Sequence, residues 1–154
     1  MKEIVYHGTN SVFDHFDLDY CGTINENAAN SKLGFFFGSS LVKKNNDCPE
    51  FLHHFGGYII KAELDISDLY VMPIEEFSDI HHKGFDDDDN RNVPFWLKKR
   101  KEFLDKGFKV IAIKEFNKVD GRDDNISIYI VLDTDVILKH EYVQSPGLKF
   151  WLIF

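Results

Sequence analysis

Two short stretches of the sequence carry residues whose types and spacing could do chemistry. Tyr6-His7-Gly8-Thr9 lies where a short apolar run meets turn-forming residues. Gly34-Phe35-Phe36-Phe37-Gly38-Ser39-Ser40 is an aromatic run between two glycines, followed by a serine pair. Imidazole and hydroxyl groups can hydrogen-bond a ligand, aromatic faces can stack, and glycine lets another group approach the backbone. The two stretches therefore indicate a binding site at two strand ends, although the aromatics also suit a buried core.

The elements that position these stretches are mostly strands. Strands are predicted at 4–6, 34–37, 58–66, 69–71, 108–113, 126–132, 136–143 and 148–154, and helices at 40–55, 74–83 and 94–106. Gly84 and Gly107 are expected to end the second and third helices. The helices are grouped rather than alternating regularly with strands, which predicts an α+β fold.

Length and composition narrow the class of protein. A chain of 154 residues is long enough for one domain, which we expect to span residues 1–154. Its net charge of -8 makes nucleic acid an unfavourable main partner. No apolar stretch is long enough to span a membrane, and the first residues lack a signal-peptide pattern. The two cysteines give no disulfide framework, so we expect a cytoplasmic location.

The sequence predicts no metal site. His53-His54 and His81-His82 are adjacent pairs rather than i,i+4 pairs on one helix face, and no cysteine or glutamate completes a zinc set. The aspartate run at 86–89 lacks the glycine and glutamate of a calcium-binding loop.

Taken in order, five motifs resemble the PARP/diphtheria-toxin-like ADP-ribosyltransferase superfamily, which includes small phage-encoded members. The resemblance covers nearly the whole chain and implies a split β-sandwich of two small antiparallel sheets with flanking helices. Its motifs are Tyr6-His7-Gly8-Thr9, Gly34-Phe35-Phe36-Phe37-Gly38-Ser39-Ser40, Glu63-Leu64-Asp65-Ile66, Leu104-Asp105-Lys106-Gly107-Phe108-Lys109-Val110-Ile111 and Ile128-Tyr129-Ile130-Val131-Leu132-Asp133.

The resemblance implies that NAD is the co-substrate and assigns roles to the two stretches. His7 would contact the adenosine ribose, and Gly8 would bind the nicotinamide amide through its backbone. Phe36 takes the place of a tyrosine, so stacking on nicotinamide is kept and the hydroxyl is lost. Ser39 or Ser40 would bond the same amide, or cap a helix. One cleft is expected to contain these residues; the remaining binding residues are Tyr6, Thr9, Gly34 and Ile128.

The last motif departs from the family, because its catalytic glutamate falls on Ile128. That glutamate bonds a ribose hydroxyl and stabilises the cation formed as nicotinamide leaves, which isoleucine cannot do. Carboxylates that could replace it are Glu115, Asp120, Asp123 and Asp124, although each also suits a solvated loop. We expect Glu115 or Asp124 to act with His7 in catalysis.

The resemblance predicts an NAD-dependent mono-ADP-ribosyltransferase that modifies a protein, as a toxin, effector or phage-encoded modifier. Two alternatives stay open. One is a catalytically silent NAD- or protein-binding module on the same fold, because two signature positions are altered. The other is an NAD glycohydrolase, which uses water as the acceptor.

Overall fold

The computed structural model describes residues 1–9, 16–17, 32–39, 58–84, 93–114 and 127–143. These ranges contain seven strands, two α-helices and one 3₁₀ turn. In chain order they are β1 (Lys2–Thr9), β2 (Phe35–Gly38), β3 (Tyr58–Asp65), β4 (Leu69–Val71), α1 (Ile74–Lys83), α2 (Val93–Asp105), β5 (Val110–Ile113), β6 (Ile128–Val131), the 3₁₀ turn (Thr134–Val136) and β7 (Ile137–Val143).

All seven strands belong to one sheet, in the order β4-β5-β6-β2-β1-β3-β7. β4 and β5 run parallel, and every other neighbouring pair is antiparallel. The α+β class is confirmed. The prediction of two separate antiparallel sheets is wrong, because the strands form one mixed sheet whose halves are joined through the register pair Tyr6–Gly38.

The sheet folds over on itself, because its connections are too short for a flat arrangement. β4 is the first strand of the sheet and β3 the sixth, yet β3 ends at Asp65 and β4 begins at Leu69. Five strand spacings measure about 24 Å in a flat sheet, whereas four residues span at most about 14 Å. The β1-β3-β7 half must therefore curve round towards the β4-β5-β6-β2 half.

One face of the sheet, here called the inner face, carries a buried cluster to which both halves contribute. Because side chains alternate along a strand, residues at every second position share this face. Its sheet members are Val5, Phe35, Phe37, Ile60, Ala62, Leu64, Val110, Ala112, Tyr129 and Val131, and Phe16, Ile66 and Val136 pack on them.

The opposite, outer face is covered by α1 and α2 over the β4-β5-β6-β2 half. Trp96 of α2 is fully buried there. A Cβ atom on Gly84, the residue that ends α1, would lie 2.5 Å from the indole Cε2, so the glycine makes room for the ring. The second buried cluster lies at this interface: Leu33, Met72, Phe77, Trp96, Phe103, Ile111, Ile113, Ile128, Ile130 and Leu132.

Most of the predicted elements within the described residues are confirmed, including both helices to within a residue at each end. Gly107, with φ of +90°, follows α2 as expected. The largest boundary error is in the first strand: it was expected over 4–6, but β1 begins at Lys2 and continues to Thr9, which pairs with Tyr58. β5 begins at Val110, two residues after the predicted start. The predicted helix at 40–55 and strand at 148–154 lie outside the described residues.

Candidate functional site

The sheet brings three of the sequence motifs together, although they lie far apart along the chain. β1, β2 and β6 are neighbours at its centre. Tyr6 pairs with Gly38, and Gly38 pairs with Ile128, so these residues form one row across the three strands. The candidate site is therefore the junction where β2 meets β1 on one edge and β6 on the other.

The β2–β6 edge is closed along its whole length. Its register runs from Phe35–Val131 to Gly38–Ile128. Beyond that pair, the Ser39 amide donates to Ser127 O at 2.9 Å, and the Ser127 amide donates to Ser39 Oγ at 2.8 Å. The Ser39 hydroxyl, which the sequence analysis offered as a nicotinamide contact or a helix cap, thus accepts a hydrogen bond that closes this strand pair.

Gly34 belongs to the same closed edge. A Cβ atom on this residue would collide with the backbone oxygen of Val131. The group that approaches the Gly34 backbone is therefore β6 itself, so its glycine is explained by strand packing rather than by a ligand.

The β1–β2 edge is different, because Tyr6–Gly38 is the one register pair recorded there among the described residues. The directions of the backbone groups follow from two hydrogen bonds. The backbone N–H and C=O of successive residues in a strand point to opposite edges of that strand. The Ser39 amide bonds to β6, so the backbone groups of Gly38 and Phe36 point towards β1. Met1 O accepts from the Ile66 amide on the β3 side, so the backbone groups of Tyr6 and Gly8 point towards β2.

The next pair in this ladder would join Gly8 with Phe36, two residues further along each strand. The register contains no such pair, and Phe36 O accepts a hydrogen bond from the ring of His7, with 2.7 Å between Nδ1 and O. The Gly8 N–H and C=O therefore point towards β2 at a position where the two strands form no register pair. We call this position, where Gly8 would pair with Phe36, the open rung.

His7 is held in a ring cluster on the inner face. Its imidazole centroid lies 5.6 Å from that of Phe16, 6.1 Å from Phe35 and 5.2 Å from Phe37. Burial lowers the pKa of His7 below its ordinary value, and the hydrogen bond to Phe36 O acts in the opposite direction as the smaller cause. Because a carbonyl can only accept, Nδ1 carries the proton of the neutral ring and Nε2 keeps a lone pair.

The two aromatic motif positions lie on opposite faces. His7 packs with the inner-face cluster, whereas Phe36 packs against the cluster beneath the helices. Tyr6, which alternates with Val5 and His7, shares the outer face with Phe36. This differs from the expectation that the His7 and Phe36 rings line one cleft. The outer face at the junction presents Tyr6, Phe36 and Ile128 around the side-chain-free positions Gly8 and Gly38.

Ile128, to which the resemblance assigns the position of a glutamate, is a core residue. It is 6% exposed and packs in the helix-side cluster, between Gly38 of β2 and Ile113 of β5. The carboxylates expected to replace the glutamate lie outside the described residues, as does Ser40: Glu115, Asp120, Asp123 and Asp124. Thr9 pairs with Tyr58 at the end of β1.

Charged side chains of both signs lie on the outer face beside the junction. Glu63 pairs with two lysines, with Lys2 Nζ at 3.3 Å and Lys139 Nζ at 3.4 Å. Lys61 is half-buried, and its register partners are Tyr6 on β1 and Glu141 on β7. Lys61 is therefore the cation nearest to Tyr6 in the β1–β3 register.

Sequence reasoning missed three residues of the junction. Ser127 was missed because its two hydrogen bonds are to Ser39, which is far away in sequence. Phe16 packs on His7, and the only indication of this in the sequence was an aromatic residue within a polar stretch. Lys61 was read only as part of an alternating strand, and its place beside Tyr6 follows from the β1–β3 register.

Comparisons with protein-family models, curated proteins and solved structures gave no match to this chain. Among residues 1–9, 16–17, 32–39, 58–84, 93–114 and 127–143, no helix is long and apolar enough to cross a membrane. The same ranges contain no cluster of three or more residues suited to hold a metal ion.

Proposed function

We propose that this chain is an NAD-dependent mono-ADP-ribosyltransferase that modifies a protein in the cytosol, as a toxin, effector or phage-encoded modifier. The observation that carries the proposal is the open rung. An N–H donor and a C=O acceptor of Gly8 face an interrupted ladder, at the position for which the family resemblance implies a backbone contact with nicotinamide.

The chemistry of nicotinamide suits such a position. Its carboxamide has one C=O acceptor and one NH₂ donor, which together complement the backbone N–H and C=O of one residue. Tyr6 and Phe36 supply aromatic faces on the outer side of the same junction, and Lys61 supplies a positive charge for the diphosphate. NAD would therefore bind with its amide at Gly8 and its phosphates towards β3.

In the proposed reaction, the bond between C1′ and the nicotinamide nitrogen breaks, and its electron pair leaves with nicotinamide. A nucleophilic side chain of the target protein bonds to C1′ and gives up its proton. The positive charge that develops at C1′ requires a fixed anion nearby. Since Ile128 cannot supply it, the proposal assigns this role to Glu115 or Asp124.

A second candidate function is a silent module that binds NAD or a protein without turnover. It is favoured by the packing of Ile128, which fills the family's acid position with buried apolar surface. A third, NAD glycohydrolysis, needs the same bond cleavage with water as acceptor, so the experiment must separate the three.

The test is incubation of the purified protein with NAD and a cell lysate, with nicotinamide release and intact protein mass both measured. The transferase predicts nicotinamide release together with an added ADP-ribose mass on a lysate protein. Nicotinamide release without a modified protein would support the glycohydrolase, and binding without release would support the silent module. Absence of both binding and release would overturn the proposal.

The variants Glu115→Gln and Asp124→Asn sharpen this test, because each keeps side-chain size and removes the charge. One of them should lose about 10² to 10³ in turnover while still binding NAD. Full activity in both variants would contradict the proposal that Glu115 or Asp124 supplies the anion.

A further inference from the structure

We infer that His7 is a positioning residue: its ring holds the β1–β2 ladder open at Gly8. The geometry of the junction alone carries this inference, and its consequence for nicotinamide binding rests on the proposed function. It assigns His7 a role different from the ribose contact that the family resemblance implies.

The first step concerns the Phe36 carbonyl, which points towards β1, where the Gly8 amide would be its partner in a continuous ladder. The His7 Nδ1–H donates to this carbonyl at 2.7 Å, which is a short, well-formed hydrogen bond, and the β1–β2 register contains no Gly8–Phe36 pair. The imidazole thus satisfies the carbonyl without the ladder pair. In the absence of the imidazole donor, the Gly8 amide is the next donor along the β1–β2 register.

The second step concerns what keeps the imidazole in place. Three phenylalanine rings surround it on the inner face, and Phe16 also packs edge-on against His140 at 5.3 Å. This packing fixes the ring beside β2 and favours its neutral form. The strand interruption is therefore supported by the core of the sheet.

The third step concerns where a ligand would be. His7 projects to the inner face, whereas Tyr6 and Phe36 project to the outer face. A planar amide bound at the open rung contacts the Gly8 backbone from the strand gap and the outer face. The imidazole acts on that ligand through the strand spacing at the Gly8 backbone, without touching it.

Two variants separate the donor from the ring. His7→Asn keeps a donor nitrogen close to the position of Nδ1 and removes most of the ring. His7→Phe keeps an aromatic ring for the inner-face cluster and removes the donor. The primary readout is hydrogen exchange of the Gly8 amide without ligand, measured relative to the Tyr6 amide of the same strand.

We expect the Gly8 amide to exchange roughly fivefold more slowly in His7→Phe than in the wild type, the factor expected for one net backbone hydrogen bond. In His7→Asn it should exchange as in the wild type. Unchanged exchange in His7→Phe, with the variant folded as judged by its circular dichroism, would overturn the inference.

Nicotinamide binding provides the functional readout. His7→Asn should bind nicotinamide within about twofold of the wild type, whereas His7→Phe should lose most of the binding, since its ladder closes over Gly8. Loss of binding in His7→Asn with wild-type Gly8 exchange would instead indicate that the imidazole contacts the ligand, and would overturn the positioning role. If wild-type protein binds no nicotinamide while the exchange pattern holds, the proposed function fails and the ladder interruption stands.

Discussion

The two edges of β2 are built in opposite ways. Towards β6, every residue from Phe35 to Gly38 has a register partner, and Ser39 extends the closure through its amide and its hydroxyl. Towards β1, the ladder stops after Tyr6–Gly38, and a side chain takes the carbonyl that the next pair would use. One short strand thus has a sealed edge and an open edge.

The difference teaches how a sheet can hold a gap at its centre. A strand of four residues would slide or close on its neighbour if both edges were loose. Because β6 fixes the position of β2, and β3 pairs with β1 along its length, the spacing between β1 and β2 is set from both sides. The gap is then maintained by fixed strands, with His7 donating to Phe36 O, one of the two acceptors of the missing pair.

The largest effect is expected from Gly34→Ala on the sealed edge. The new methyl group would collide with the Val131 backbone oxygen and crowd Ile130 Cγ2, and a paired strand cannot move away. We expect the free energy of unfolding to fall by about 3 kcal/mol or more, measured by urea denaturation.

The matched change on the open edge is Gly8→Ala. Gly8 is buried, but its φ is not positive and its strand has no register pair with β2 at this position, so we expect the methyl group to cost less stability here than at Gly34. Nicotinamide binding should nevertheless weaken, because the methyl group projects from the outer face beside the open rung. Equal destabilisation by the two changes would contradict the comparison of the edges.

A smaller effect is expected from Ser39→Ala, which removes the acceptor of the Ser127 amide. Leaving this part-buried donor unpaired should cost about 1–2 kcal/mol of stability. Ser67→Ala is the control, since its hydroxyl bonds Asp65 on an exposed turn. Thermal unfolding of the two variants should show the larger fall in Tm for Ser39→Ala, and the reverse order would show that the edge is not sealed through this serine.

The smallest effect concerns pH and the open edge. Since the folded protein holds the pKa of His7 below its ordinary value of 6.5, the unfolded chain binds the proton first as the pH falls. The His7 contribution to stability is therefore complete above 6.5 and is lost as the pH falls through 6.5 towards the folded pKa.

Unfolding midpoints between about pH 4 and 8 should fall more steeply on acidification for the wild type than for His7→Asn. The pKa of His81 is also lowered by burial, and both proteins retain that contribution. Parallel curves would mean that burial of the His7 ring does not affect stability in this range.

The sequence predicted the parts of this junction that depend on local pattern. Apolar runs bounded by glycine located β2, and alternation located β6 with Ile128 and Ile130 on one face. Alternation could not show which face each side chain of Phe35-Phe36-Phe37 takes, because all three residues are phenylalanine. Only pairing with β6 turns Phe36 outward and Phe35 and Phe37 inward.

The features of the junction that the sequence did not predict depend on hydrogen bonds between residues far apart in the chain. His7-Gly8-Thr9 has turn-forming composition, yet it is strand because β3 pairs with it as far as Tyr58. The open rung depends on a bond between a side chain and a backbone carbonyl 29 residues away along the chain. Neither periodicity nor propensity reports such a bond, since both describe only neighbours in sequence.

The most direct test of the central claim is a titration of isotope-labelled protein with nicotinamide, followed at the Gly8 amide by NMR. We expect a saturable downfield shift and slower exchange at Gly8, because the carboxamide oxygen accepts from its N–H. Pyridine is the matched control: it keeps the ring and lacks the carboxamide, so it should leave the Gly8 amide unchanged. A Gly8 amide that is unchanged by nicotinamide, or that responds equally to pyridine, would contradict the claim that the open rung binds the amide.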